Sequence, residues 1–269
     1  MNFIDHHCHV SDERVFARAE IIGKSAIAAG VKTLVLAGTE PAEWKRQFLV
    51  RDQFKALGIR VVTNFGLHPW WVEKFSDDEV ASALLELKRA LEKQAPDGVG
   101  ETGLDFGAKR KPERFEAQKS AFAAQLELAT RFNKPVVLHV VGAHEPAIEI
   151  LRRANAIVPL VVHSFSGNMT QLQGYLSMGA MISYSGSIVK SARGEGFEKV
   201  QKALLHTPSN RLLFETDSPD QYWGTGENQP SNVREVYEAA AKILGQPVQR
   251  LITQVEENFK KIYDRKNHV

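Results

Sequence analysis

Residues 33–37 read Thr-Leu-Val-Leu-Ala, and residues 135–138 read Pro-Val-Val-Leu. Both runs are continuously apolar and do not alternate between apolar and polar residues. A continuous apolar run is typical of a strand that is covered on both faces, as the strands of a parallel sheet are. These two stretches therefore predict a parallel sheet.

Runs of this kind occur eight times along the chain and alternate with longer stretches of helical spacing. The predicted strands are Asn2–His6, Lys32–Gly38, Arg60–Leu67, Val99–Asp105, Pro135–Val140, Pro159–Phe165, Ala180–Ser185 and Arg211–Asp217. Helices are predicted between them, among them one from Ser11 to Gly30 and one from Pro41 to Gly58. Eight strand–helix units in 269 residues match the usual size of a closed (β/α)8 barrel, the TIM barrel. The main competitor, a doubly wound open sheet, would carry a glycine-rich phosphate fingerprint after the first strand, which is missing here.

The composition is that of an ordinary folded protein, with 43% hydrophobic and 25% charged residues. This balance excludes a disordered chain, which would have fewer apolar residues and more net charge. Lys and Arg total 34 against 32 Asp and Glu, so the formal charge of +2 argues neither for nor against a polyanionic partner. Because there is no linker or low-complexity segment, we expect residues 1–269 to form a single α/β domain.

The chain shows no feature that directs it to a membrane. No apolar run approaches the 18 residues of a membrane span, and the first five residues lack the regions of a signal peptide. The single cysteine, Cys8, has no partner for an internal disulfide. We therefore expect a cytoplasmic protein with no membrane association. No obligate protein partner is evident, and the oligomeric state stays open.

Histidines and carboxylates gather at the ends of the predicted strands, where a barrel of this kind carries its chemistry. His7 and His9 are two residues apart, so on a strand their side chains point to the same side. The other residues at strand ends are His68, Glu101, His139, His163 and Asp217. Four of these histidines, His7, His9, His139 and His163, and the two carboxylates would be costly to bury on one rim without a cation. The pattern therefore predicts a metal site.

The number of candidate ligands indicates two ions. Six ligands exceed the four of one tetrahedral zinc, whereas two divalent ions that share a bridging carboxylate fit the count. Such a pair lowers the pKa of a bound water and so favours hydrolysis. Asp217, at the end of the last strand, could accept the proton of that water. Imidazole-rich sites prefer zinc, manganese or iron over magnesium.

Five sequence blocks together resemble a known family. They are His7-Cys8-His9, Gly66-Leu67-His68-Pro69, and residues 100–105, 163–167 and 215–219. In this order and spacing they resemble the TatD family of metal-dependent hydrolases, within the amidohydrolase superfamily, and the resemblance extends to residues 257–259. It implies a (β/α)8 fold, a divalent-metal site and, for the best-known members, deoxyribonuclease activity.

The resemblance also implies roles for individual residues. The implied ligands are His7, His9 and Asp217 for one metal, His139 and His163 for the other, and Glu101 as the bridge between them. Asp217 and Glu101 are then the catalytic residues. His68 matches a family histidine at the substrate mouth, where it could hydrogen-bond a phosphate oxygen. Family nucleases are regarded as magnesium-supported, so the two ions are expected to be Zn, Mn or Mg.

One departure from the family concerns the substrate. Members with nuclease activity usually follow the histidine of strand five with a polar stretch containing Arg, which suits bidentate binding of phosphate. Here residues 139–144 read His-Val-Val-Gly-Ala-His, so the Arg is absent and His144 is its weak substitute. We predict a deoxyribonuclease with DNA as substrate, a 3′-5′ exonuclease on single strands. Two alternatives stay open: hydrolysis of a carboxylic ester, amide or lactone, including D-aminoacyl-tRNA, and a non-enzymatic metal-binding scaffold.

For several other residues near the strand ends, the sequence allows two interpretations of their role. Trp70 and Trp71 either stack on a base or fill the space between their loop and its helix. Asp105 either contacts the substrate or orients the loop after strand four, and Glu215 is expected one layer deeper as an acceptor for a ligand. Five basic residues either form a patch that binds phosphate or lie on ordinary solvated surface. They are Lys109, Arg110, Lys111, Lys190 and Arg193.

Overall fold

A computed structural model describes residues 1–155 and 157–265. Eight strands form one sheet in which each strand pairs in parallel with the next strand in sequence. The strands are β1 Phe3–Cys8, β2 Val31–Ala37, β3 Arg60–Phe65, β4 Gly98–Asp105, β5 Val136–Val141, β6 Leu160–Val162, β7 Met181–Tyr184 and β8 Leu212–Phe214. A parallel bridge between Cys8 and Ser218 joins the first strand to the segment after the last. The predicted (β/α)8 barrel is confirmed.

The described residues contain twelve α-helices, which lie between and after the strands. They are α1 Glu13–Phe16, α2 Ala19–Ala28, α3 Pro41–Ala56, α4 Pro69–Lys74, α5 Asp77–Lys93, α6 Phe115–Arg131, α7 His144–Ala154, α8 Met169–Ser177, α9 Ser187–Ala192, α10 Glu198–His206, α11 Val233–Leu244 and α12 Val248–Tyr263. Within this part of the chain, no helix combines the length and the apolar composition that a membrane crossing requires.

Local signals set several helix ends. Ser76 begins α5 with a capping box, in which its hydroxyl accepts the Glu79 N–H while the Glu79 side chain accepts the Ser76 N–H. Gly245 ends α11 in the left-handed conformation, with φ of 63°. The single helix predicted from Ser11 to Gly30 is instead two helices, because α1 ends at Phe16 and α2 begins only at Ala19.

The core lies between the sheet and the surrounding helices. The apolar residues 34–37 and 136–138, whose runs predict a parallel sheet, are each at most 1% exposed. Full burial of one large aliphatic side chain contributes about 1.5–3 kcal/mol. The continuous apolar pattern therefore reports correctly that both faces of these strands are covered.

Two strands end three residues earlier than predicted. The prediction carries the sixth strand to Phe165 and the eighth to Asp217, but β6 ends at Val162 and β8 at Phe214. Beyond these ends, Ser164 and Asp217 have φ of 41° and 58°, a conformation that takes the chain out of an extended strand. The residues that follow these strands therefore turn into the mouth of the barrel.

Close contact between β4 and β5 depends on Gly103. Its φ is 144°, and a Cβ atom there would lie 2.0 Å from the carbonyl oxygen of His139. Only glycine therefore permits this approach of the two backbones. The consequence is that the side chains of Glu101 and His139 come within reach of each other.

Candidate active site

Six of the predicted side chains converge at the carboxyl ends of the strands. They come from five strands or the residues just after them: His7, His9, Glu101, His139, His163 and Asp217. All six are buried, with at most 8% of each residue exposed. Buried groups of this kind need partners, because an isolated buried charge is strongly unfavourable.

Glu101 lies at the centre of the cluster. Its Oε2 is 3.2 Å from Nε2 of His7 and 3.5 Å from Nε2 of His9. Its Oε1 is 2.7 Å from Nδ1 of His139 and 2.9 Å from Nε2 of His163. Each oxygen of this carboxylate therefore faces a different pair of imidazole nitrogens.

We call the first group, His7, His9 and Asp217, the β1/β8 subsite. Oδ1 of Asp217 lies 3.6 Å from Nε2 of His7 and 3.4 Å from Nε2 of His9. Backbone hydrogen bonds hold the group together, because the Asp217 N–H donates to the His7 carbonyl and the His9 N–H donates to the Ser218 carbonyl. Nδ1–H of His9 donates to the Ala37 carbonyl at 3.2 Å, so Nε2 is the ring nitrogen that faces the cluster.

We call the second group, His139 and His163, the β5/β6 subsite. Nδ1–H of His163 donates to Oε1 of Glu215 at 3.2 Å, so its Nε2 faces the cluster. Nδ1 of His139 lies 3.1 Å from that Nε2, while Nε2 of His139 lies 3.5 Å from Oδ2 of Asp105. Carboxylates behind imidazoles in this way orient the rings and increase their basicity.

The electrostatics of the cluster favour added positive charge. Burial opposes the charged form of His9, yet its hydrogen bond to Asp217 and the charge of Glu101 raise its pKa to about 10. Burial likewise opposes ionisation of Glu101, but His163 and His7 hold its pKa well below the usual value. The carboxylates thus stabilise cationic neighbours, and a divalent ion supplies that charge without protonating the imidazoles.

The donor set fits a divalent metal. Ligand atoms of His7, His9 and Glu101 lie within 4.8 Å of one another, and so do those of His7, His163 and Asp217. Nδ1 of His7 is buried and has no hydrogen-bond partner. Imidazole nitrogens and carboxylate oxygens that converge in this way are the ligands of zinc and manganese sites.

His68 lies inside the cluster and not only at its mouth. Its Nε2 is 3.3 Å from Oε1 of Glu101, and its Nδ1 accepts the Trp70 N–H at 3.0 Å. Because Nδ1 is an acceptor, the proton of the neutral ring sits on Nε2. Burial lowers the pKa of His68 to about 4, so at neutral pH the ring is an uncharged donor.

The structure does not bring His144 to the cluster. Gly142, with φ of 63°, turns the chain after β5, and His144 begins α7. The His144 Nδ1 lies 3.2 Å from the Tyr175 hydroxyl, and its ring packs against Phe165. The side chain therefore belongs to the contact between α7 and α8.

The cluster opens into a cleft of about 520 Å³. Beyond the cluster, its walls include Asp12, Arg14, Thr39, Glu40, Trp70, Trp71, Lys74, Asp105, Val141, Asp220 and Gln221. The five residues predicted as a basic patch are not among the lining residues. Sequence reasoning missed Arg14, which bonds at 2.8 Å to Asp12 and to Asp220. The only sequence signal was the polar composition of two loops that are far apart in the chain.

Comparisons with known proteins agree with this geometry. The family model "TatD related DNase" matches residues 4–264. The uncharacterized metal-dependent hydrolase YjjV of Escherichia coli K12 is 32% identical over 232 residues, covering 85% of this chain and 84% of the relative. The crystal structure of that TatD homolog matches with a TM-score of 0.86 at 27% identity and covers 98% of both chains.

A second relative carries a more specific name. The 3'-5' ssDNA/RNA exonuclease TatD of Pantoea ananatis is 29% identical over 259 residues, which cover 93% of this chain and 92% of the relative. Together with the family match over nearly the whole chain and the buried histidine–carboxylate cluster, these similarities lead to one conclusion. The chain belongs to the TatD related DNase family and is a metal-dependent hydrolase.

Proposed function

We propose that the protein is a 3′-5′ exonuclease that hydrolyses phosphodiester bonds at the ends of single-stranded DNA with two divalent metal ions. The observation that carries this proposal is the position of Glu101, whose two oxygens face two separate pairs of histidine nitrogens. The similarity to a relative named as a single-strand exonuclease supports the choice of phosphodiester over other bonds.

The residues divide into two ligand sets. One ion would be held by His7, His9 and Asp217 and the other by His139 and His163, with Glu101 as a ligand for both. When bound, such ions lower the pKa of a water molecule to about 7 and polarise the bond to be cut.

Two side chains take part beyond holding ions. Burial opposes ionisation of Asp217, but the hydrogen bond from His9 and the charge of His163 hold its pKa below the usual value. Asp217 is therefore ionised at neutral pH and able to accept a proton from the attacking water. His68, as a neutral Nε2–H donor, binds an oxygen of the scissile phosphate.

The shape of the site indicates a chain end as the substrate. The cluster lies within the mouth of a closed barrel, at the base of a cleft of about 520 Å³. A cleft of this size holds a small molecule or a terminal nucleotide. We place the enzyme in the cytoplasm, where a lone buried thiol such as Cys8 stays reduced.

A second candidate function is hydrolysis of a carboxylic ester, amide or lactone, including D-aminoacyl-tRNA. The charges of the cleft walls favour it, because four acidic residues outnumber the two cations Arg14 and Lys74; the acids are Asp12, Glu40, Asp105 and Asp220. Arg14 is already neutralised by two carboxylates, so its attraction for phosphate is weak. The chemistry that bound divalent ions would supply at this site serves an acyl carbon as well as phosphorus.

The test is cleavage of an end-labelled single-stranded oligonucleotide with Mn²⁺ or Mg²⁺. We expect a ladder that shortens from the 3′ end, disappears with a chelator and disappears in Asp217→Ala. The control variant Asp78→Ala, at an exposed position of α5, should cleave like the unmodified protein. Absence of cleavage by protein that demonstrably holds its metals would overturn the nuclease proposal, and esters, lactones and aminoacyl-tRNA would be tested next.

A further inference from the structure

Trp70 is a large aromatic residue left partly open at the cleft. It is 45% exposed, whereas Trp44 and Trp223 are buried. Its neighbour Trp71 stacks on Phe75 with the ring centroids 4.4 Å apart, so that indole fills the space between its loop and the rest of the fold. Both tryptophans line the cleft, but Trp71 is half-buried and stacked on Phe75, whereas the Trp70 ring is exposed there.

Three contacts hold the Trp70 ring in place and leave it accessible. The indole N–H donates to Oδ2 of Asp105. The Trp70 backbone N–H donates to Nδ1 of His68 at 3.0 Å. The guanidinium of Arg110 lies over the ring, 4.8 Å from its centroid. A ring that is already immobilised loses little conformational entropy when a ligand binds to it, so it is prepared for contact.

The ring also lies next to the proposed metal ligands. Its centroid is 5.0 Å from the centroid of His68 and 6.0 Å from that of His139. Both histidines lie within 3.3 Å of Oε1 of Glu101. A substrate group that stacks on this indole therefore lies next to the bond that is hydrolysed at the cluster.

We propose that the Trp70 indole is a stacking wall that selects substrates with a planar ring next to the bond that is hydrolysed. Identifying that ring as the terminal nucleobase rests on the proposed nuclease function. Because every base has a π-face, stacking of this kind binds all bases with little preference for sequence. It also offers affinity that does not depend on an Arg contact to the phosphate.

The wall is tested with two probes that differ only in the base, deoxyadenosine 5′-monophosphate and deoxyribose 5-phosphate. Binding of each to the Mn²⁺-loaded protein is measured by calorimetry. We expect Trp70→Ala to weaken binding of the nucleotide about 5- to 150-fold and to leave binding of the sugar phosphate unchanged. Equal weakening of both probes, or of neither, would overturn the proposal. Manganese content and thermal melting show whether the variant is folded.

Fluorescence provides a readout that assigns contact to one ring. The nucleotide should quench the unmodified protein and Trp44→Phe, whose lost indole is buried against Phe65 away from the cleft walls. In Trp70→Phe we expect the quenching to be lost, with nucleotide affinity between those of the unmodified protein and Trp70→Ala. Quenching that persists in Trp70→Phe would contradict the assignment.

The two proposals fail in different ways. If binding depends on the base and requires Trp70 but no oligonucleotide is cleaved, the stacking proposal stands and the nuclease proposal is overturned. If oligonucleotides are cleaved but discrimination between the two probes is unchanged in Trp70→Ala, the nuclease proposal stands and the stacking proposal is overturned.

Discussion

The two subsites of the metal cluster are supported in different ways. In the β1/β8 subsite the support is backbone, because hydrogen bonds between the two chain segments join Asp217 to His7 and His9 to Ser218. In the β5/β6 subsite the support is side chain, because Glu215 accepts from His163 and Asp105 lies behind His139. One subsite therefore depends on closure of the barrel, and the other on buried carboxylates. Variants of single side chains should separate them.

Glu101→Gln should have the largest effect, since Glu101 is the contact that the two subsites share. An amide cannot present two anionic oxygens to two cations, so we expect metal content to fall at both subsites. Turnover should fall by at least about 10³-fold. Elemental analysis of the purified variant measures this, with circular dichroism as the check on folding. Full retention of either metal would show that the subsites do not share this carboxylate.

Asp217→Asn should act on the β1/β8 subsite and on proton transfer. We expect kcat to fall about 10²- to 10⁴-fold, the usual contribution of a general base. Metal at the β5/β6 subsite should remain, because the closest atoms of that subsite contact Glu101. Metal content and single-turnover rates are the measurements. Loss of both metals would contradict the division into two subsites.

Glu215→Gln should act on the β5/β6 subsite alone. The neutral amide still reaches His163, but it no longer orients the imidazole or increases its basicity as a carboxylate does. Metal affinity at the β5/β6 subsite should therefore fall about 10- to 100-fold. Competition with a chromogenic chelator measures this affinity, and excess metal should restore turnover. The matched control is Glu238→Gln, a solvent-facing glutamate of α11 paired with Arg234. An equal loss at the β1/β8 subsite would show that the support is shared.

Asp105→Asn should have the smallest effect on the metals. Oδ2 of Asp105 lies 3.5 Å from Nε2 of His139, which is longer than a good hydrogen bond. We therefore expect a loss of metal affinity below about tenfold. Chelator competition gives the value, alongside Glu215→Gln under the same conditions. A loss larger than that of Glu215→Gln would mean that Asp105 is the stronger of the two supports.

The barrel and the cluster could be predicted from sequence because both leave periodic or positional signals. Apolar runs such as residues 34–37 report burial on both faces, and polar residues at the ends of such runs meet at one rim. The proximity of His68 to Glu101 depends on how the loop after β3 folds, for which the chain carries no local signal. The pairing of Arg14 with Asp220 joins loops more than 200 residues apart and needs the closed barrel to exist.

Several turns and a helix break also could not be predicted from the sequence. Ser164 and Asp217 adopt positive φ although neither is glycine, so the tertiary structure overrides their local preference. Helical periodicity continued through Ala17 and Arg18, where the structure separates α1 from α2. His144 lies five residues after His139 of β5, close enough to suggest the cleft, yet the left-handed Gly142 directs it to α8.

The bridge between Cys8 and Ser218 has a consequence for how the molecule is made. His7 and His9 lie in and just after β1 and are synthesised before the rest of the barrel, whereas Asp217 emerges only after all eight strands. Domains assemble from the amino end as they are translated, and contacts between distant segments form last. His7 and His9 therefore cannot form a complete centre until Asp217 has been synthesised. A half-translated chain carries three of the six ligands, His7, His9 and Glu101, and so has no complete hydrolytic centre.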